Sequence, residues 1–519
     1  MINIRPKEYE RNFIYCIPLN HNYAAVILSR LIYKNLKKYP QSKHIIYPIF
    51  GINFDGSLAS RYPKYIAKFY WQFLNFPRYL LNEWNVIKET KEQLSLFLSS
   101  RELNSLEFIS CKKWFRSLIK AKLIWKKYDK NNIDLFIKDF CLKNIYAGDL
   151  IGDTYLRFKN TPKINLKDWF LKDVIWRAFA IENLFESLIQ EKANKKYYLF
   201  GTYGTYINHG IPLRIACKKN IFAMTLGQDF NSEYLLHKNI GNGIIPSHCG
   251  YHNKYSIKKT NLLKKETIVK AKKSLSARCQ DIYDSSMTYM GNIKKNIIEN
   301  NLTSSPINGN RILMLHDFFD SPHIYNWMVF PDFWTWTYET ILYCHKNKII
   351  LNVKPHPNQI LESEKIVSEF KDKFKDSSFI NWLPANIKNS NLFKQKPSLI
   401  ISVYGSITAE ATFMKIPVLL AGDHPAINFK IANTAINKKN YFKLLSNLKL
   451  NKLGSRKNAI LFTALHHRNV FEKKNLALFH FLNKSTNDLD EDIELLTQKN
   501  SIKYIDKSIY RIQDEIENF

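Results

Sequence analysis

Three observations predict an α/β protein with parallel sheets in two domains. Short apolar runs alternate with amphipathic stretches of helical length at 13–50, 197–226 and 311–421, the pattern of βαβ units. At 519 residues the chain exceeds what one hydrophobic core organises. Several of the runs end in Gly, Ser, Pro or His, at the carboxyl ends of strands where open parallel sheets collect ligands.

The chain opens with a strand at Phe13–Pro18, a helix at Asn22–Lys38 and a strand at His44–Phe50. No Gly-x-Gly-x-x-Gly follows, so dinucleotide binding is not supported. Residues 55–140 read as a helical insertion rich in aromatic and basic residues, most densely at 61–84, which suits a helix pair covering the sheet or an anionic membrane interface. Gly148–Arg157 precedes a helix at Trp169–Gln190; Asp149 and Asp153 near Arg157 suit a general base and a substrate clamp, or caps and a salt bridge. A second βαβ unit has strands at Tyr197–Phe200 and Ile221–Leu226 and a helix opened by Pro212. Its strand-end loop, 201–210, carries Tyr206, Asn208 and His209 as ligand contacts or as turn formers. A basic helical stretch at 262–300 and the Thr, Ser, Pro, Asn and Gly residues at 303–309 mark a linker. The expected division is 1–260, a linker at 261–309, a second domain at 310–483 and a charged helical tail at 484–519.

The second domain carries the densest signals. Its strands are Arg311–Leu315, Ile349–Val353, Phe379–Leu383, Leu399–Val403 and Pro417–Ala421, with helices at Asp332–Lys346 and Ile360–Lys375. The turn Tyr404-Gly405-Ser406 joins a strand to a helix, where backbone amides favour phosphate. With Ser406 as N-cap, a reciprocal capping box requires an acid at 409, but that residue is Ala409 and the acid is Glu410. Glu410 is left to accept the hydroxyls of a ribose, or to be a solvated helix acid. Two prolines hold His356 rigid at a strand end beside Lys354, so the pair suits a phosphate or a sugar carboxylate. The loop His316-Asp317-Phe318-Phe319-Asp320-Ser321-Pro322-His323 offers hard ligands for magnesium or, preferably, contacts to a bound ligand and an acid. The aromatics after it, Trp327, Phe330, Phe333, Trp334 and Trp336, read mainly as packing.

VKPHP at 353–357 followed by YGSITAEATFMKIPVLLAGDHP at 404–425 resembles the nucleotide-sugar half of bacterial capsule polysaccharide biosynthesis glycosyltransferases, the group that includes the capsule Kdo transferases. HDFFDSPHIY at 316–325 and GDLIGDTYLRF at 148–158 are similar to further motifs of that group. The resemblance implies a GT-B-like fold, two Rossmann-like domains facing across a cleft, and sugar transfer from a nucleotide donor with no cofactor and no obligatory metal. It implies catalytic roles for Asp149, Asp153, Asp317 and His356. Donor binding falls to His316, Asp320, Ser321, His323, Lys354, Tyr404, Gly405, Ser406 and Glu410, and acceptor binding to Arg157, Tyr206, Asn208 and His209. Many members carry Asn-Ser-Thr-Val where this chain has Tyr404-Gly405-Ser406-Ile407, which leaves a CMP-linked keto sugar and a UDP sugar both open as donor.

Composition narrows the partners. Lys plus Arg at 77 against Asp plus Glu at 45 gives +32, which favours anionic partners, but the accompanying wealth of Asn, Ile, Phe and Tyr is the profile of an A+T-rich genome and no nucleic-acid module appears. Seven cysteines without a Cys-x-x-Cys pair argue against zinc and against a disulfide framework. The start MINIRPKEYERN lacks the apolar core of a signal peptide and no segment is long and apolar enough to span, so the expected location is the cytoplasm, at most against the inner face of the membrane. The expected partners are a nucleotide-sugar donor and a saccharide or lipid-linked acceptor. Two rivals remain: a non-hydrolysing UDP-sugar 2-epimerase, and a non-enzymatic basic scaffold for membrane or nucleic acid.

Overall fold

The computed structural model describes residues 10–18, 22–49, 75–124, 127–143, 145–190, 194–226, 234–237, 256–282, 309–325, 327–357, 362–472 and 498–519. The chain divides into two compact units. One comprises Met1–Lys159, Asn165–Gly250 and Asn475–Phe519; the other comprises Asn160–Ile164 and Tyr251–Lys474.

The first unit is built on β1 (Glu10–Ile17), β2 (Lys43–Pro48), β3 (Glu107–Phe108), β4 (Lys195–Gly201), β5 (Phe222–Leu226) and β6 (Tyr234–His237). Their order is β3-β2-β1-β4-β5-β6, parallel except that β6 runs antiparallel to β5. The central strands read as unbroken apolar runs because helices cover both faces of such a sheet. β3 and β6 were not expected; they are short edges, and β3 lies inside the stretch expected to be a purely helical insertion. That insertion contributes helices at Asn75–Leu94, Cys111–Ile124 and Ile133–Asp139, while most of the aromatic-basic stretch at 61–84 lies outside the described residues.

The tail returns to this unit as the helix Lys499–Glu517. Ile505, Ile509, Ile512 and Ile516 recur at helical spacing and sit in the same core as Phe13, Tyr15 and Leu28. Arg30 forks onto Asp506 with bonds of 2.8 and 3.0 Å, and Gln513 donates to the buried Asn35 at 3.0 Å. Each buried isoleucine contributes about 2 kcal/mol, so the apolar face contributes more than the half-buried Arg30–Asp506 pair to holding the helix down.

The second unit repeats the plan with β7 (Arg311–Met314), β8 (Leu351–Lys354), β9 (Ile380–Trp382), β10 (Leu399–Ser402), β11 (Val418–Leu420) and β12 (Asn433–Thr434). The order β12-β11-β10-β7-β8-β9 is the same topology with every pair parallel. Both sheets therefore have the doubly wound Rossmann order, and both reverse direction between their first and fourth strands, the switch point where ligands bind. The helix Lys265–Arg278, read as linker, belongs to this second unit. Phe330, Phe333 and Trp336 are core residues, and Trp336 donates its indole N–H to Tyr441 at 2.9 Å. The fold is α/β with two Rossmann-like domains, of the GT-B-like kind.

Candidate functional site

In the second unit the switch point is built by the segments that leave the carboxyl ends of β7 and β10. His316 leaves β7 and lies flat against Phe333, ring centroids 4.7 Å apart. Its Nε2 accepts the amides of Val403 and Tyr404 at 3.3 and 3.4 Å and stands 3.2 Å from Ser402 Oγ, so the neutral ring carries its proton on Nδ1. Ser402 Oγ in turn accepts the Gly405 amide at 3.3 Å. A β-carbon at Gly405 would lie 2.9 Å from that oxygen, so a larger residue there would push the Ser402 hydroxyl aside. Burial pushes the His316 imidazole down to about 3, with the His356 and His424 rings adding to the effect. Those causes identify three neighbouring histidines, from the ends of β7, β8 and β11.

The loop after His316 is tied to itself. Asp317 accepts the Phe319 amide at 2.9 Å and the Ser363 hydroxyl at 3.0 Å, and Asp320 accepts the Ser321 amide at 2.9 Å. Ser321 gives its carbonyl to the Tyr404 hydroxyl at 2.7 Å, and His323 is buried. Asp317 thus shapes the loop with both oxygens. Among the described residues no group of three or more His, Cys, Asp or Glu side chains is arranged to hold a metal.

Ser406 is exposed and makes no side-chain cap bond, whereas Glu410, on the helix Ile407–Phe413, is only 3% exposed. The solvated helix acid is therefore ruled out. Glu410 accepts from Asn389 Nδ2 at 3.3 Å. Burial raises its carboxyl, Asp281 raises it further, and Arg278, the Asn389 bond and Lys354 oppose. Lys354, buried at the end of β8, donates to the Ala385 carbonyl at 3.1 Å. Burial brings its amine down to about 8 against the pull of Glu410 and Asp281. Arg278 Nη2 lies 3.0 Å from His467 Nε2, and Asp281 accepts the Ser390 amide at 3.3 Å. Two cations and two carboxylates from three segments thus share one largely buried neighbourhood beside the Tyr404–Ser406 turn.

Sequence reasoning singled out Lys354, His356 and Glu410 but not Arg278, Asp281, Asn389 and His424, which the fold places beside them. Arg278 and Asp281 come from the stretch taken as linker, and local sequence marks neither of them. His424 carried a signal, its Asp-His-Pro setting at a strand end. It accepts the Ala426 amide at Nδ1, 2.9 Å away, and burial brings it down to about 3, with His466 adding and a bond to the Gly405 backbone opposing. His424 is buried, whereas His316 and His356 are half-buried.

In the first unit Gly148–Lys159 is itself a helix rather than a loop before one. Asp149 is 1% exposed and takes both arms of Arg214, at 2.7 and 2.5 Å, and Arg214 also donates to the Tyr146 carbonyl at 2.6 Å. The salt bridge that Asp149 makes is with Arg214 rather than Arg157, and this buried pair ties two helices together. Asp153 and Asn208 are buried as well. Tyr206 and His209 belong to the helix Tyr206–Lys218, which begins well before Pro212. Its N-terminus is held by Thr154 Oγ1, which accepts the Ile207 amide at 3.0 Å. Tyr206 opens that helix in the left-handed region, φ 61°, with its ring against Phe158. His209 Nδ1 lies 3.2 Å from Thr202 Oγ1, and its ring meets Tyr203 edge-on. Burial raises the Tyr203 phenol to about 12 while Arg157 opposes. Arg157, Tyr203, Tyr206 and His209 thus gather at the carboxyl end of β4.

The fold, with two Rossmann-like domains, is GT-B-like. No family model and no curated protein matches the chain by sequence. Among solved structures it is similar to the UDP-GlcNAc 2-epimerase of Methanocaldococcus jannaschii, at 11% identity over 89% of this chain and 98% of that one, TM-score 0.27. It is also similar to KpsC of Thermosulfurimonas dismutans, a beta Kdo 2,4 transferase, at 12% identity over 52% and 79%, TM-score 0.31. A glycosyltransferase from Rickettsia africae is similar at 12% identity over 92% and 100%, TM-score 0.24. Likeness at this level assigns no activity.

Proposed function

We propose that the protein is a glycosyltransferase that binds a nucleotide sugar at the carboxyl ends of β7, β8, β10 and β11. The observation that carries the reading is the gathering of Lys354, Arg278, Glu410 and Asn389 behind a strand–Gly-Ser–helix turn flanked by His316, His356 and His424. Phosphate is attracted by the cations and the turn, and ribose hydroxyls by the carboxylate. In the reaction the acceptor oxygen bonds to the anomeric carbon as its proton passes to water, the bond from that carbon to the phosphate oxygen breaks, and the nucleotide leaves with the extra negative charge. His356, half-buried at its Pro-flanked strand end, donates to that phosphate, while Lys354 stabilises it from behind. Arg157, Tyr203, Tyr206 and His209 supply hydroxyl and imidazole contacts suited to a sugar acceptor. The donor is a CMP-linked keto sugar or a UDP sugar, the acceptor a capsule-type polysaccharide or its lipid-linked precursor, and the reaction runs without a metal.

Incubation with CMP- and UDP-sugars, with and without saccharide acceptor, tests this. Acceptor-dependent release of nucleotide that survives chelation supports the proposal. Conversion of UDP-N-acetylglucosamine to its 2-epimer without acceptor replaces transfer by epimerisation. Absence of both reactions, with nucleotide binding absent too, overturns it.

A further inference from the structure

The helix Cys111–Ile124 has one face that the fold does not use. Trp114, Ser117, Leu118 and Ala121 are buried, and Trp176 clamps the helix by donating its indole N–H to the Leu118 carbonyl at 2.7 Å. The opposite face is exposed and contains no acid: its charges are Lys112, Lys113, Arg116, Lys120 and Lys122. Of these, Lys113 is the one paired with a carboxylate among the described residues, Glu107 at 2.8 Å. On that same face Ile119 is 51% and Leu123 83% exposed. At about 100° per residue, Lys112, Arg116, Ile119 and Leu123 share the centre of the outer face, and Lys120 and Lys122 flank it on either side. A helix that only needed solubility would carry mixed charges here rather than two bare aliphatic side chains ringed by cations.

We propose that this face docks on an anionic lipid surface, with Leu123 and Ile119 entering the acyl boundary and the flanking bases meeting the headgroups. Charge complementarity selects this occupant. A neutral apolar partner leaves the unpaired bases without a counter-charge, and an acidic polyelectrolyte has no use for the aliphatics. The proposal stands independently of the donor-site reading.

The test is flotation of the whole protein with vesicles of phosphatidylcholine alone and of phosphatidylcholine with one third phosphatidylglycerol. Binding to the anionic vesicles and not to the neutral ones is expected. Arg116→Glu with Lys120→Glu should weaken it roughly a hundredfold, and Ile119→Ser with Leu123→Ser roughly tenfold. Lys439→Glu with Lys443→Glu, equally spaced on an exposed helix of the second unit, should leave it within about twofold of the parent after allowance for net charge. All these side chains are exposed, so unchanged circular dichroism and melting are expected and checked. Equal loss in the control pair, or no loss in the serine pair, reduces the effect to adsorption of a +32 chain and overturns the proposal. So does binding to neutral vesicles, or to nucleic acid in place of lipid.

Discussion

Replacing Glu410 by Gln separates ligand contact from internal charge balance. The substitution keeps shape and removes one negative charge from a neighbourhood holding Lys354, Arg278 and Asp281. Breaking a buried pair by removing one partner commonly costs about 3–5 kcal/mol. Here Lys354, already down to about 8, can shed its proton instead, at about 1.4 kcal/mol for each unit between its value and the ambient pH. The net cost should therefore be about 1–3 kcal/mol, a fall in melting temperature of roughly 2–10 °C. Nucleotide affinity has a separate term: a neutral amide loses the charge-assisted bond to a ribose hydroxyl, about 1–2 kcal/mol or roughly 5- to 30-fold. Titration calorimetry at 15 °C, where the variant remains folded, isolates that term. At 3% exposure Glu410 reaches a ligand only by an edge, so a folded variant that melts early but binds nucleotide as tightly as the parent would refute the contact. Glu410 would then serve only to compensate the two cations.

Other substitutions probe other parts of the molecule. His356→Ala should lower turnover by roughly 10²–10³ with little change in melting, measured on one preparation for rate and unfolding. Asp149→Asn removes the carboxylate charge that faces both arms of the buried Arg214 and should cost about 3–5 kcal/mol in urea unfolding, while Arg157→Ala, at a more open position, should affect acceptor KM rather than stability. The neutral His316 and His424 rings, both near 3, bind no proton in the fold below pH 6.5, where the unfolded chain does. Stability should therefore fall between pH 6.5 and about 3, by at most about 1.4 kcal/mol per pH unit for each ring, and His424→Gln should flatten that slope. Ile509→Ala should cost about 2–5 kcal/mol and loosen the C-terminal helix first, as read by hydrogen exchange.

Strands buried on both faces are apolar for their whole length, so β1, β2, β4, β5, β7, β8, β9, β10 and β11 were legible to within a few residues. β3 and β12 were not, because a two-residue edge leaves no periodicity, and β6 has apolar residues but too few to stand out. Asn22–Lys38 was read to its ends, while Gly148–Lys159 was missed because two glycines and two aspartates in its opening turns resemble a loop. The strand-end residues of the second unit were visible because His, Pro and Gly together after an apolar run are chemically unusual. Their partners were not. Arg278 acts on Glu410 through its charge from a stretch that reads as a basic linker, and Asp149 takes an arginine 65 positions away where sequence offered only Arg157 nearby. Such pairings are set by tertiary packing, which a local pattern does not encode.

The most direct measurement for the central claim is the melting curve of the intact protein with millimolar CMP, CDP, UDP or GDP. A nucleotide held at the strand ends of the second unit stabilises the folded state alone, by about 2.7 kcal/mol at a hundred times its Kd. A clear upward shift is predicted for at least one pyrimidine nucleotide, reduced in Glu410→Gln and in Lys354→Ala. A melting curve unmoved by all four nucleotides would contradict nucleotide binding at these strand ends.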